Sequence, residues 1–506
     1  MPDYMYQLES RLSPEQWAGL VRIQELAVAA ETNLYLVGGA VRDMISGMPI
    51  RDLDFTIEGN PSRLVRELEK GGAQIAEEDE ELRAVELLLP GDVEVSISAA
   101  HEDYYARPGA KMEVRFSTIM DDLRRRDFSI NAIAISLNAN SRGLLLDPTN
   151  GLADLERREI RALSVRSFTN YPLRLLRAPR YAARMDFKLD VRTAEWFKLA
   201  LERELHQTIS PEDAGRELRQ SAREEKPVAV LKAWESHGLM EVLHTQLAKR
   251  HPDYEAIQRV ARVRDDMVSA GFRPRLFGPI TLAIAGRLKD RERNAVLTRM
   301  SLRPAEMHAV DHLEAEASKI AKTLAGSKLA SVPDAYDFLE KTPLDLQAYI
   351  LAESSNGKAA AQIKNYLHKW KPLRQGLPGV ALELEALGMP HGPQFDKVLE
   401  DFFRAQLMGR ARKPEDHPKI LRKLAGIKEL PKKIEEKKKP EKGKGKTAAG
   451  FSPETPAPAE SAKTKFAPPA AHPAASKDKA PGKTAAAPTK VAGKKAAKPK
   501  KKTGKK

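Results

Sequence analysis

Residues 34–57, LYLVGGAVRDMISGMPIRDLDFTI, constrain this chain more than any other stretch. Four apolar residues (34–37) read as a strand. Gly38 and Gly39 make a turn into a helical segment carrying Arg42 and Asp43, and a return strand holds Asp52 and Asp54. Side chains alternate faces along a strand, so carboxylates at i and i+2 point the same way and can grip one divalent metal. Two glycines between a strand and a helix let backbone amides approach a phosphate at the positive end of the helix. A DxD pair alone fits a β-α-β edge with surface charges just as well; the GGxxRD upstream favours a phosphate cradle, a cation and a metal-binding pair in one segment.

GGAVRD followed by RDLDFT resembles the head motif of the bacterial-type tRNA nucleotidyltransferase (CCA-adding enzyme)/poly(A) polymerase family, whose pattern is GGxVRD, a short spacer and DxD. Further family motifs follow in order. RRDFSINA (residues 125–132) matches the family's RRDFTINA except for Ser129. The stretch DPTNGLADL with a later Ile160-Arg161 matches DPxGGxxDL…IR, and SFTNYPLRLLRAPRYAARMDF matches SFxEDPLRxLRAxRFAARLxF. The resemblance is close over residues 31–190 and weak over 191–425.

It implies an α/β, polymerase-β-like nucleotidyltransferase head followed by all-α neck, body and tail domains. Asp52 and Asp54 are then the catalytic and metal residues, holding Mg2+, with Gly38, Gly39, Arg42 and Asp43 at the triphosphate. Arg126 and Asp127 meet the sugar and phosphates, Asn131 supports their turn, and Arg174, Arg177 and Arg180 line the base-reading helix. The same helix reads independently as a stripe, because residues 174, 177, 180 and 184 recur at helical spacing. Glu94, on the strand VEVSISA, is the candidate third carboxylate; it fits a solvent-facing place on an amphipathic strand equally well.

One departure stands out. The family's acidic pair before the first arginine, which reads the base amino group while the arginine donates to ring acceptors, is replaced by Asn170 and Tyr171. An amide offers one acceptor and a tyrosine can stack, but neither is a carboxylate. Selection between CTP and ATP is thus shifted to an atypical element containing Tyr171. Pro179, inside the same helix, removes a hydrogen bond and is expected to kink it and redirect Arg180.

Other elements follow from pattern. Ser13 caps a leading helix from Pro14 to Ala30, Asn60-Pro61-Ser62 opens a helix to Lys70, and residues 84–89 and 93–99 are strands. The stretch from residue 144 reads as a strand, a turn and an N-capped helix, and beyond residue 250 the chain is helix after helix. No His-Asp dipeptide occurs, unlike the metal phosphohydrolase module that some relatives append.

The 506 residues suffice for about three domains. With no cysteine, thiolate catalysis, disulfides and zinc–thiolate sites are excluded. No apolar run approaches the ~20 residues of a membrane helix, which predicts a cytoplasmic protein with no membrane partner. The net charge of +15 is a tail property: residues 431–506 hold 22 Lys, no Arg and 6 acidic residues, leaving about −1 for residues 1–430. That Lys/Ala/Pro-rich segment is expected to be disordered and to attract RNA non-specifically, or to serve only as a solubilising tail.

The expected layout is a leading helix (1–30), head (31–162), neck with the nucleotide-recognition helix (163–250), a helical body and tail for tRNA docking (251–430) and the basic tail (431–506). The expected partners are CTP and/or ATP and a tRNA or other RNA 3′ end. The expected reaction is CMP or AMP addition there, as whole CCA or only its terminal A, with pyrophosphate release. A poly(A) polymerase, or a degenerate member that binds RNA without catalysis, is the alternative.

Overall fold

A computed structural model describes residues 3–104, 113–329, 331–411 and 413–427. The chain divides into residues 1–430 and 431–506. The expected disordered tail lies outside the described residues.

Two helices lead the chain, α1 (Tyr4–Arg11) and α2 (Pro14–Ala29). Helix α2 starts where the sequence predicts: Ser13 and Gln16 form a reciprocal capping box and Pro14 occupies the first turn. Strand β1 (Asn33–Val37) runs into α3 (Gly38–Ser46), and β2 (Leu53–Glu58) returns antiparallel to β1. Then come α4 (Ser62–Lys70), β3 (Gln74–Asp79), β4 (Ala84–Leu89) and β5 (Val93–Ala99). A separate hairpin, β6 (His101–Tyr104) with β7 (Glu113–Phe116), precedes α5 (Ile119–Arg125), β8 (Ala134–Ser136), β9 (Leu145–Leu146) and α6 (Gly151–Arg157). The seven-stranded sheet has the order β3-β4-β5-β2-β1-β8-β9, antiparallel except where β2 and β5 run parallel.

Alternation divides the sheet into two working faces. Leu53, Phe55 and Ile57 of β2 and Val93, Val95 and Ile97 of β5 are buried in the core shared with Leu20 and Ile23 of α2 and Leu64 and Leu68 of α4. Each such side chain contributes ~1.5–3 kcal/mol by leaving water. The opposite face carries Asp54, Thr56, Glu94 and Ser96, while Tyr35 and Val37 of β1 pack there on Ile119 and Leu123 of α5. The polar groups therefore sit on the α5 side because their apolar neighbours are committed to the other.

The cationic run 124–126 closes a helix: Arg124 and Arg125 end α5, which Thr118 caps, and Arg126 is its C-cap. The helix expected to be N-capped, α6, has no side-chain bond from its preceding residue, Asn150 (φ 58°), and Asp147 instead accepts from the amides of Gly151 and Leu152.

The neck comprises α7 (Ser167–Asn170), α8 (Arg174–Met185), α9 (Val191–Glu202) and α10 (Pro211–Arg223). It is helical apart from a two-residue strand, Lys188–Leu189, that pairs parallel with Glu159–Ile160 at the end of the head. Helix α8 runs through Pro179 without interruption. Fully buried Trp234 holds it from the following helix, Pro227–Ser236, its indole Nε1 donating to the Leu176 carbonyl at 2.8 Å. Helices continue to His417–Ala425, and the last three long ones enclose their own small core of Leu384, Phe395, Phe402 and Leu421.

Candidate functional site

The site begins where β1 becomes α3. Gly38 has φ +63°, a conformation that costs an L-residue ~1–2 kcal/mol. A Cβ there would stand 3.0 Å from Arg126 Nη1 and 3.6 Å from Asp54 Oδ2, and one on Gly39 would stand 3.5 Å from the same oxygen. The two glycines thus let the start of α3 come close to the β2 carboxylate and the Arg126 guanidinium without a side chain between them.

Asp54, one register step inside β2, accepts from Ser96 Oγ at 2.7 Å. Burial, and then the neighbouring Asp52, push its carboxyl up to about 6. Two mutually repelling carboxylates with hard oxygen donors fit Mg2+, which commonly takes one or two protein carboxylates and completes its shell with water and substrate phosphates. Among the described residues no group of three or more His, Cys, Asp or Glu is placed to hold a metal ion. Glu94 shares Asp54's face but is engaged elsewhere: its carboxylate accepts from Arg223 Nη2 at 2.5 Å and lies 3.4 Å from Arg275 Nη2. The structure therefore presents a pair of carboxylates, not a triad.

Arg126 is fixed by Asp122, a buried residue that the sequence reading passed over. Its Nε and Nη2 donate to Asp122 Oδ2 at 3.1 and 2.9 Å, and Nη2 also reaches Thr56 Oγ1 at 3.2 Å. This leaves Nη1 beside Gly38.

The remaining candidates are joined in a closed circuit. Arg42 donates from Nε to Asp43 Oδ1 (2.8 Å) and from Nη1 to Asn131 Oδ1 (2.6 Å). Asn131 Nδ2 donates to Asp127 Oδ1 (2.9 Å), and Asp127 Oδ2 lies 3.4 Å from Arg177 Nη1. Arg177 and Arg180 each donate from Nε to Glu217 (2.7 and 2.8 Å). Arg180 Nη1 continues to Glu224 Oε1 (2.7 Å), Arg184 Nη1 lies 3.4 Å from Glu224 Oε2, and Arg184 Nη2 returns to Asp43 Oδ2 (2.6 Å). Four arginines and four carboxylates cancel, which is what makes burial of so many charges tolerable. Asp127 shows the balance: burial pushes its carboxyl up, but Arg177, Arg174 and the Asn131 amide together hold it below the usual carboxylate range.

The circuit divides the predicted arginine stripe. Arg180 is buried against Glu217 and Glu224 and stacks near Tyr181, so its side chain is spent inside the neck. Arg177 keeps about a third of its side chain exposed. Arg174 lies toward the head, donating to Ser167 Oγ (2.8 Å) and to the Arg125 carbonyl (3.0 Å), with its guanidinium 4.5 Å from the centre of the Tyr171 ring. Tyr171 Oη in turn donates to Asp103 Oδ2 at 2.5 Å. Sequence reasoning missed Asp103, Asp122, Arg184's role, Glu217 and Glu224. Glu217 lies within α10 and Glu224 at its C-cap, and no sequence signal ties either acid to the arginine stripe.

Residues 34–161 match the family model described as the poly A polymerase head domain. Over 401 residues the chain is 31% identical to the A-adding tRNA nucleotidyltransferase of Halalkalibacterium halodurans, covering 78% of this chain and 90% of that protein. Against the A-adding tRNA nucleotidyltransferase of Geobacter sulfurreducens it is 26% identical over 406 residues, which is 78% of this chain but 45% of that longer protein. Against the CC-adding tRNA nucleotidyltransferase of Deinococcus radiodurans it is 37% identical over 180 residues, 36% of this chain and 48% of that one.

Proposed function

Because this chain belongs to the tRNA nucleotidyltransferase/poly(A) polymerase family, a family of enzymes, we propose that it transfers AMP from ATP to the 3′-hydroxyl of a tRNA ending in CC, releasing pyrophosphate. One observation carries the chemistry: the Asp54 carboxylate, raised to about 6 beside Asp52, faces Gly38 and Gly39 at the start of α3, its Oδ2 within 3.6 Å of where a Cβ on either would stand. A buried carboxylate that resists ionisation, with a second acid beside it and a backbone stripped of Cβ atoms, favours a divalent cation and a phosphate in the same place. The choice of A rests on extent: the A-adding relative is matched over most of both chains, whereas similarity to the CC-adding one spans 180 residues.

In this reading Asp52 and Asp54 hold Mg2+, which when bound lowers the pKa of the RNA 3′-hydroxyl and neutralises the triphosphate. The amides at the start of α3 and Arg126 Nη1 receive the triphosphate. Arg42 and Asp43 keep α3 in place rather than touching substrate, since both are buried in the ion circuit. Asp127 and Asn131 fix the turn below the sugar, and Arg174 and Arg177 present donors to the base. The RNA 3′-oxygen attacks the α-phosphorus, and the bond to pyrophosphate breaks in line. Arg180 acts through Glu217 on Arg177 and is a positioning residue.

No helix among the described residues is long and apolar enough to cross a membrane, and a cytoplasmic location is part of the proposal. So is a tail that raises RNA affinity non-specifically, with steep salt dependence.

The test offers the purified protein tRNA lacking CCA, tRNA ending in CC, and generic RNA, with CTP and ATP singly and together. AMP addition to the CC-ending tRNA alone is expected. CMP addition to the shorter tRNA would replace this reading with CC or CCA addition, long A tracts on generic RNA with poly(A) polymerase, and no incorporation anywhere would reduce the protein to an RNA binder. Asp52→Ala should abolish incorporation; unchanged incorporation refutes the metal site.

A further inference from the structure

Asn170 and Tyr171 stand where the family pattern SFxEDPLR leads one to expect two acids, and an acid from elsewhere in the chain lies beside them. The Tyr171 hydroxyl reaches across 68 positions of chain to Asp103 Oδ2, at 2.5 Å. Asp103 lies on β6 opposite Val114 of β7, on the hairpin face away from the Arg115–Tyr104 stack. The aromatic ring that carries this hydroxyl also supports Arg174 from below, with the guanidinium carbon 4.5 Å from the ring centre. Ser167 Oγ and the Arg125 carbonyl hold the guanidinium by Nη1 and Nη2. One carboxylate and one guanidinium are therefore brought to the same tyrosine, Asp103 at its hydroxyl and Arg174 over its ring.

That pairing has a definite complementarity. A guanidinium has five N–H donors, and a carboxylate has about four acceptor sites, so neither is exhausted by these bonds. An acceptor next to a donor matches a base edge bearing an exocyclic amino group beside an unprotonated ring nitrogen, as in adenine and cytosine. It opposes the carbonyl and ring N–H of uracil and guanine.

Resting on the nucleotidyl-transfer reading above, we infer that Asp103 is a specificity-determining residue, its carboxylate anchored by Tyr171 to accept from the amino group of the incoming base while Arg174 donates to the ring. The acid lost from the helix start is supplied by the hairpin. Tyr171 is then a positioning residue, and base choice depends on a segment far away in sequence.

Equilibrium binding of ATP, CTP, UTP and GTP to the full chain, without RNA, separates this inference from the catalytic one. The wild type should prefer ATP, CTP or both over UTP and GTP. Asp103→Asn, which turns an acceptor-only group into one that also donates, should reduce that preference about tenfold or more. Tyr171→Phe keeps the ring under Arg174 but releases Asp103, and should reduce it too. The double variant should be no worse than Asp103→Asn alone, because the two act as a unit. Circular dichroism of each variant confirms its fold, and Tyr171→Phe carries the test if Asp103→Asn does not fold. A wild-type preference that survives both substitutions, or equal weakening of all four nucleotides, overturns the inference and leaves nucleotidyl transfer standing. A wild type that binds no nucleotide overturns both.

Discussion

Replacing Asp54 with Asn should make the metal-free protein more stable, and the effect should depend on pH in a way that identifies its cause. Asp54 titrates at about 6 instead of 3.8, for which burial is mainly responsible and Asp52 next. The folded state thus binds the Asp54 proton more tightly than the unfolded chain does. Below pH ~4 the residue is protonated in both states and costs nothing; as pH rises from about 4 to about 6 the unfolded chain releases the proton that the folded state still holds, stability is lost, and above 6 the loss is complete. At ~1.4 kcal/mol per unit the shift corresponds to about 3 kcal/mol, trimmed to roughly 2 because Asp54 keeps partial contact with solvent.

Asparagine preserves the shape and still accepts the Ser96 hydroxyl, so packing changes little. Urea unfolding in a chelating buffer between pH 3.5 and 8 should show the variant more stable by ~2 kcal/mol at pH 7.5, by about a third of that at pH 4.5, and nearly equal to the wild type at pH 3.5. Adding Mg2+ with ATP should reverse the order at pH 7.5, since ligands that bind only the native state stabilise it by mass action. An advantage independent of pH would mean a packing effect, and no advantage at pH 7.5 would refute the claim that this carboxylate is held against its own preference.

Other perturbations probe the frame around it. Glu224 is fully buried among Arg180, Arg184 and Arg51, so Glu224→Gln should cost ~3–5 kcal/mol in urea unfolding; a cost below ~1 kcal/mol would show that the circuit is not a structural necessity. Gly38→Ala adds a Cβ at 3.0 Å from Arg126 Nη1 in a left-handed conformation, and should raise the KM for ATP more than it lowers kcat; a change in kcat alone would move the phosphate cradle elsewhere. Glu94→Gln should leave Mg2+-dependent incorporation largely intact while Asp52→Ala abolishes it, and equal losses would restore Glu94 as a third ligand.

The parts of this molecule that were legible in the sequence are those whose signal is local. Ser13, Pro14 and Gln16 announce α2 to the residue, because a capping box is completed within one turn. The alternation of VEVSISA correctly assigns Val93, Val95 and Ile97 to the core and Glu94 and Ser96 to the other face. Strand β3 (QIAEED) escaped notice because an almost fully exposed edge strand has no apolar face to alternate.

The same distinction governs the site. Residues 38, 39, 52 and 54 form a motif and could be named from spacing. The stripe 174, 177, 180, 184 was visible as a helical face, but periodicity says nothing of what lies opposite it. Only the packing of α10 against α8 shows Glu217 and Glu224 neutralising Arg180 while Arg174 stays with the head. Asp103 could not have been found by any local rule, since its partner is 68 residues away.

The ion circuit closes on itself, and closure has a mechanical meaning. A linear string of ion pairs can yield at one end and leave the rest in place. A ring has no end: turning α8 about its axis, or sliding it along α10, strains the link at Asp127 and the link at Asp43 together. Helices α3 and α8 are thereby held at a set spacing, like the two jaws of a gauge locked at one reading, and in the proposed reading a nucleotide between them meets a fixed interval.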